Sequence, residues 1–209
     1  KILDIEKLHR RMGLNICSPY EFYSIHTSYT YLSKILEITK VSLPEINQTH
    51  LETIQNLETL RNDYLSVFQI NELEKYSLLN MITSVFQENI YPDLDILQND
   101  INQGLLKIDL ICERLNKYID PKRDGCIKKD NNEKYGYYLY VTDNRAKTFH
   151  KSISNLANTT IKIDDFSLDL KDVKFTKRGG NTHLEFHKLI EITNKYSTDR
   201  LKIQGLNKE

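Results

Sequence analysis

His183 and His187 stand four residues apart in HLEFH, and paired histidines at that spacing invite a metal reading. Two imidazoles so spaced share one face of a helix, which is how H-E-x-x-H presents its ligands. Here the acid sits in the middle of the five, and a strand-to-helix change is expected among them. A shared face is therefore not expected, and no metal ligand is assigned. GLNIC and RGG lack the G-x-x-x-x-G-K-[ST] pattern whose amides and lysine cradle phosphates. No serine sits in G-x-S-x-G. Carboxylates are numerous, but nothing in their spacing pairs two of them in a pocket. No catalytic residue is assigned, and the chain is expected to be neither an enzyme nor a cofactor carrier.

The remaining chemical signal is electrostatic. The 209 residues carry 29 Lys and Arg against 29 Asp and Glu, so net charge names no partner. The balance hides an asymmetry. Residues 1–120 hold 11 basic and 17 acidic residues, residues 121–188 hold 14 and 9, and the tail holds 4 and 3. A basic segment inside a neutral chain marks a candidate surface for an anionic partner. Lys128, Lys129, Lys134, Arg145, Lys147, Lys151, Lys174, Lys177 and Arg178 fall within it, with Asn181 beside the last. Taken singly, each lysine reads as a solvated charge. Taken together, cations that neutralise phosphates stand among Asn, Thr and Tyr groups that hydrogen-bond to phosphate oxygens. The candidate DNA-binding set is Lys128, Lys129, Lys134, Arg145, Lys147, Lys174, Lys177, Arg178 and Asn181.

Cys17, Cys112 and Cys126 are odd in number and form no C-x-x-C pair, so free thiols in a reducing, intracellular compartment are expected. No apolar run approaches the roughly 20 residues that span a bilayer. No signal peptide is visible. A first residue that is not Met and a polar GLNKE end suit a piece of a longer protein.

Two kinds of periodicity must position these groups. Leu3, Ile5, Leu8 and Met12 space a short helix ending at Gly13. Ser18, Pro19 and Glu21 form a helix start, and apolar positions continue to about Lys40. Pro44 breaks the pattern, and 48–62 and 71–84 read as further helices, with a connection from Ser84 to Tyr91. From Pro92 to Ile119, Leu94, Leu97, Ile101, Leu105, Ile108, Ile111, Leu115 and Tyr118 recur at three- and four-residue steps. A continuous helix there would run about 42 Å and serve as a strut. Asp120, Pro121, Asp124 and Gly125 stop it.

The period then changes from helical to alternating. Tyr135, Tyr137, Leu139 and Val141 point one way, and Tyr138, Tyr140 and Thr142 the other. TTIKI at 159–163 is a second strand. DVKFTKR and NTHLEF flank Gly179-Gly180, which supplies a tight two-residue hairpin. Val173, Phe175 and Lys177 then share one face, and Lys174, Thr176 and Arg178 the other. Helical spacing resumes near Phe186 with Leu189, Ile192 and Tyr196. The expected fold is mainly α, α+β overall, with a small antiparallel β lobe inserted at the end of a helical arm.

Three segments carry a resemblance. DIEKLHRRMGLNICSPYEFYSI resembles the D-[IL]-E-[RK]-L segment and [SN]-P-x-[DE] helix start of the MutS mismatch-repair family. NEKYGYYLYVT resembles that family's N-x-x-x-G-Y-Y-[IL]-x-[VI]-[TS] strand, which follows the long lever helix and opens the clamp domain. NTHLEFHKLIEITNKY resembles the clamp's return, with Phe186-His187-Lys188 where the family usually has Thr-Pro-Glu. The resemblance runs over nearly the whole chain, in the family's order.

The resemblance implies three parts: helical core and ascending lever at 1–120, β-rich clamp at 121–185, and the start of the descending lever at 186–209. It implies double-stranded DNA as partner, gripped through its backbone without sequence specificity, and no membrane. It also implies a dimeric parent protein that uses ATP and Mg²⁺ in domains beyond this stretch. Two rivals differ in class from that reading or within it. One is a helical structural adaptor whose β lobe binds another protein. The other is a diverged MutS relative serving recombination or another DNA transaction.

Overall fold

The computed structural model describes residues 2–42, 47–76, 83–132 and 136–207, with only the backbone described at 40–42 and 47–50. Pro44, Lys134, Tyr135 and the 77–82 part of the expected third core helix lie outside the described residues. The chain divides into two compact units. One comprises Lys1–Gln98 with Leu201–Glu209, the other Asn99–Arg200.

The first unit is helical. α1 (Ile5–Gly13) starts where the Asp4 carboxylate accepts the Lys7 amide at 3.0 Å. α2 (Pro19–Ser42) opens on a reciprocal capping box. The Ser18 amide donates to Glu21 Oε2 at 2.9 Å, and the Glu21 amide donates to Ser18 Oγ at 3.3 Å. Each bond satisfies a donor the first turn leaves without a helical partner. The Arg11 guanidinium pairs with the same Glu21 at 2.7 Å, which locks the end of α1 to the start of α2. α3 (Asn47–Val67) packs on α2, and Leu57 of α3 is buried with Ile25 and Tyr29 of α2 and Leu8 of α1. α4 (Ile70–Leu73) is a single turn, shorter than the helix expected from 71. Gln69 caps its start, and the Gln69 amide donates to Val85 O at 2.8 Å beside the Phe68–Phe86 bridge. Leu73 and Val85 are buried among Phe22, Phe68 and Phe86.

α5 (Pro92–Asn116) contributes residues to both units. In the second unit its Ile101, Ile108, Ile111 and Leu115 are all buried, as the apolar spacing expects. Asn116 ends the helix with a side chain that is itself buried. Its amide nitrogen donates to Arg123 O at 2.6 Å, and its Oδ1 accepts the Cys126 amide at 2.8 Å. That pair of bonds folds residues 117–126 into a tight loop and delivers the chain to the sheet.

The sheet has four antiparallel strands in the order β1 (Lys128–Asn132), β2 (Gly136–Thr142), β6 (Asn181–Glu185) and β5 (Lys174–Arg178). β3 (Thr160–Ile163) and β4 (Phe166–Asp169) form a separate hairpin. α6 (Asp143–Ser154) follows β2 directly and buries Ala146, Phe149 and Ile153. Together with α5 and α7 (His187–Leu206), these elements enclose one core around Leu139, Val141, Phe149, Leu170 and Leu184. Gly179 takes φ +60° in the β5–β6 turn, as the Gly-Gly pair implies.

Gly136 is the tightest point. It has φ +64°, and a Cβ built there would lie 2.7 Å from Thr193 Cγ2 and 2.8 Å from Ser197 Oγ, both on α7. Backbone conformation and space both demand glycine. Gly179 shares the positive φ, but a Cβ there meets nothing within 4 Å. Gly136→Ala should lower unfolding free energy by roughly 2–4 kcal/mol, since left-handed backbone and overpacking add. Gly179→Ala should cost only about 1 kcal/mol. Urea denaturation of both variants measures the difference; equal losses would contradict the close approach of β2 to α7.

Candidate nucleic-acid interface

The strand register sorts the basic residues by face. Leu139 opposes Leu184, and Val141 opposes Thr182, so these buried side chains define the inner face. Phe175 opposes Leu184 and Lys177 opposes Thr182, placing both on that face. Lys129 opposes Leu139 and joins them. The outer face carries Lys128, Asp130, Tyr138, Tyr140, His183, Glu185, Lys174, Thr176 and Arg178, with Asn181 opposite Arg178 at the turn.

The nine candidate residues therefore do not form one surface. Lys128, Lys174, Arg178 and Asn181 share the outer face. Lys129 is held by Asp109 of α5, and Lys177 pairs with Asp143 at 2.9 Å, so both serve ties within the lobe. Arg145 donates from Nη1 to Cys126 O at 3.3 Å, stapling α6 to the loop before β1. Lys147 is exposed on α6. Lys134 lies outside the described residues. Arg178 pairs with Glu185 at 2.9 Å across the β5–β6 ladder. Lys128 and Lys174 are exposed and have no carboxylate within ion-pairing distance among the described residues.

Charge logic follows from these contacts. Lys177 beside Asp143, helped by the Thr182 hydroxyl at 2.9 Å, holds the Asp143 carboxyl below the usual carboxylate range. Its stabilising contribution is thus present above about pH 4 and is lost as pH falls through the depressed folded value. On α5, burial pushes the Cys112 thiol up to about 12. A thiol so protonated is a poor nucleophile.

The outer face also gathers aromatics that alternation alone did not reveal. Tyr138 and His183 are stacked face to face, 4.7 Å between centroids and 5° between planes. Tyr140 stands 6.0 Å from Tyr138 and 6.3 Å from His183. The signal that could have found this cluster is the cross-strand pair Tyr140–His183, which requires the β2–β6 register. The Tyr138 hydroxyl donates to Asp130 Oδ2 at 3.1 Å. Burial against its neighbours, then the Arg178 charge, lowers the affinity of His183 for a proton. His183 ends up on β6 while His187 begins α7. Among the described residues, no group of three His, Cys, Asp or Glu side chains could hold a metal ion. Among the described residues, no helix is long and apolar enough to cross a membrane.

No protein-family model matches the sequence. Two curated proteins do. A mutS homolog of Acanthamoeba polyphaga mimivirus, named for DNA mismatch repair, is 26% identical over 227 aligned residues, covering 100% of this chain and 20% of the relative. The DNA mismatch repair protein MutS of Alkaliphilus metalliredigens (strain QYMF) is 24% identical over 212, covering 98% of this chain and 23% of that protein. Over nearly its whole length the chain is similar to these two MutS proteins. It spans about a fifth of the length of these relatives. Both units of the chain, the sheet and its outer face included, fall inside the matched stretch.

The electrostatic part of this geometry can be read directly. His183 should titrate below about 6.5, its ordinary value. A lowered histidine leaves the unfolded chain binding more protons between the two values, so acidification through that window should weaken the fold. Arg178→Gln should move the His183 midpoint upward, read from imidazole carbon-bound proton shifts against pH. An unchanged midpoint would contradict the Arg178–His183 coupling.

Proposed function

We propose that the chain is a core, lever and clamp portion of a longer MutS-like DNA mismatch repair protein, and that its β lobe contacts the backbone of duplex DNA. In this reading residues 1–120 are core and ascending lever, 121–185 the clamp, and 186–209 the start of the descending lever. The carrying observation is the match over the whole chain to two proteins named for DNA mismatch repair. Lys128 and Lys174, unencumbered on the outer face, support the contact, with Arg178 and Asn181 beside them. Cations meeting phosphates position a duplex without reading its sequence. The chain itself performs no catalysis in this reading. ATP, Mg²⁺ and dimer formation belong to the remainder of the parent protein.

Binding to duplex DNA should be weak, with Kd roughly 10⁻⁴ to 10⁻⁶ M at physiological salt, and indifferent to a mismatch. Lys128→Glu with Lys174→Glu should weaken it on every sequence and flatten the log–log salt dependence by about one unit per lost phosphate contact. Lys7→Glu with Lys34→Glu changes charge equally on exposed residues of the helical unit and should leave binding intact. Fluorescence anisotropy across a salt series measures both. Equal losses from the two pairs would mean diffuse attraction, and no loss from the first would move the partner surface elsewhere.

A further inference from the structure

We infer that the outer face of the sheet is also a stacking platform for unpaired bases, so that the lobe binds single-stranded DNA as well as duplex. The inference rests on reading this face as a DNA-contacting surface, and adds a ligand that backbone contact does not require.

Four cross-strand neighbours form one continuous row: Lys128, Tyr140, His183 and Thr176. The row begins with a cation, continues through two rings and ends in a hydroxyl. No acid stands in it. The face as a whole carries three cations, Lys128, Lys174 and Arg178, against two carboxylates, Asp130 and Glu185. Glu185 is paired with Arg178, and Asp130 accepts the Tyr138 hydroxyl while keeping its charge, so the face is net positive by one charge, with the two lysines outside any ion pair among the described residues. They flank the rings, Lys128 on the edge strand beside Tyr140 and Lys174 on the opposite edge strand.

Half-buried aromatics on the outer face of the sheet have no place in the lobe's core. Tyr137, Leu139 and Val141 already supply the strand's apolar burial from the inner face. Tyr138, Tyr140 and His183 add nothing to that core, yet they hold one another in a fixed cluster. A neutral imidazole stacked on a phenol presents a flat surface to which any base can add. Beside the stacked pair lies a cavity of about 420 Å³, bounded by Tyr138, His183, Arg178 and Glu185 on the sheet and by Ile190 and Asn194 on α7. That volume falls in the range of about 300–1,000 Å³ common for small-ligand pockets. Ile190 offers an apolar wall, and the Asn194 amide offers both a donor and an acceptor to a base edge. A duplex hides its base faces and cannot use these groups. A single strand can stack bases on the rings while its phosphates meet Lys128 and Lys174.

The test uses the 209-residue chain with oligo(dT) and a blunt duplex of equal length, in anisotropy titrations. Tyr140→Leu should weaken oligo(dT) binding about tenfold, and Tyr138→Leu with Tyr140→Leu further, with duplex binding unchanged. Tyr140→Phe should restore the oligo(dT) affinity. Lys128→Glu with Lys174→Glu should weaken both ligands. A second arm needs no variant. Oligonucleotide carrying 5-iodouracil, irradiated on the wild-type protein, should cross-link to Tyr138 or Tyr140 within the tryptic peptide of residues 135–145. Wild-type oligo(dT) affinity in the leucine variants, or cross-links confined to other peptides, would overturn the platform. If the lysine reversal spares the duplex while the ring variants lose oligo(dT), the backbone-contact reading fails and the stacking surface stands.

Discussion

The backbone of β2 touches α7 at Gly136, and the rest of the lobe depends on that contact. A Cβ would collide there with Thr193 and Ser197, so strand and helix meet closer than any side chain permits. One residue on, the Thr193 hydroxyl donates to Tyr137 O at 3.1 Å, and the Tyr137 ring meets Tyr196 edge-on at 4.8 Å. The start of β2 is thereby pinned in both position and parity. Parity decides everything a strand shows, because a slip of one residue exchanges its faces. With Gly136 fixed, Leu139 and Val141 must enter the core, and Tyr138 and Tyr140 must face outward. β6 takes its register from β2, and β5 from β6, so the placement of His183, Thr176 and Lys174 follows.

The ion pairs show a second layer of constraint. The acids that make the helical strut negative are not idle. On α5, Asp109 holds Lys129 of β1, and Lys107 reaches Asp165 of the β3–β4 turn at 2.6 Å. Asp100 holds Lys195 of α7 at 2.7 Å. Exposed pairs of this kind contribute little stability each, at most about 1 kcal/mol. Asp109 and Asp143 withdraw Lys129 and Lys177, while Lys128 and Lys174 on the sheet's outer face stay outside any ion pair among the described residues. A count of lysines in the segment therefore overstates the charge free to meet an anionic partner.

Legibility in the sequence followed physical locality. Helices with buried stripes were readable because Ile101, Ile108, Ile111 and Leu115 repeat at helical spacing, and the Ser18–Glu21 cap declares itself within four residues. The hairpin was readable because Gly179-Gly180 permits the turn. The face assignment of Lys174, Thr176 and Arg178 followed from alternation and agrees with the register. β1 was not readable: KKDNN is an edge strand with no apolar residue, held by pairing to β2 alone. α6 was missed because its buried Ala146, Phe149 and Ile153 are sparse among polar residues. The aromatic cluster is not legible locally because it joins residues more than forty positions apart, and nothing in HLEFH itself points to Tyr138. Partners of Lys129 and Lys177 were equally out of reach, each being a tertiary pairing that no local spacing announces.

The central claim is that DNA meets the outer face of this sheet. The most direct measurement is a residue-resolved NMR titration of the isotopically labelled chain with duplex and then single-stranded DNA. The account predicts that amide and ring shifts concentrate at Lys128, Tyr138, Tyr140, Lys174, Thr176 and His183, with Tyr140 and His183 ring signals moving most for the single strand. Shifts concentrated on α6, or on the helices of the first unit, with the sheet's outer face silent, would contradict it.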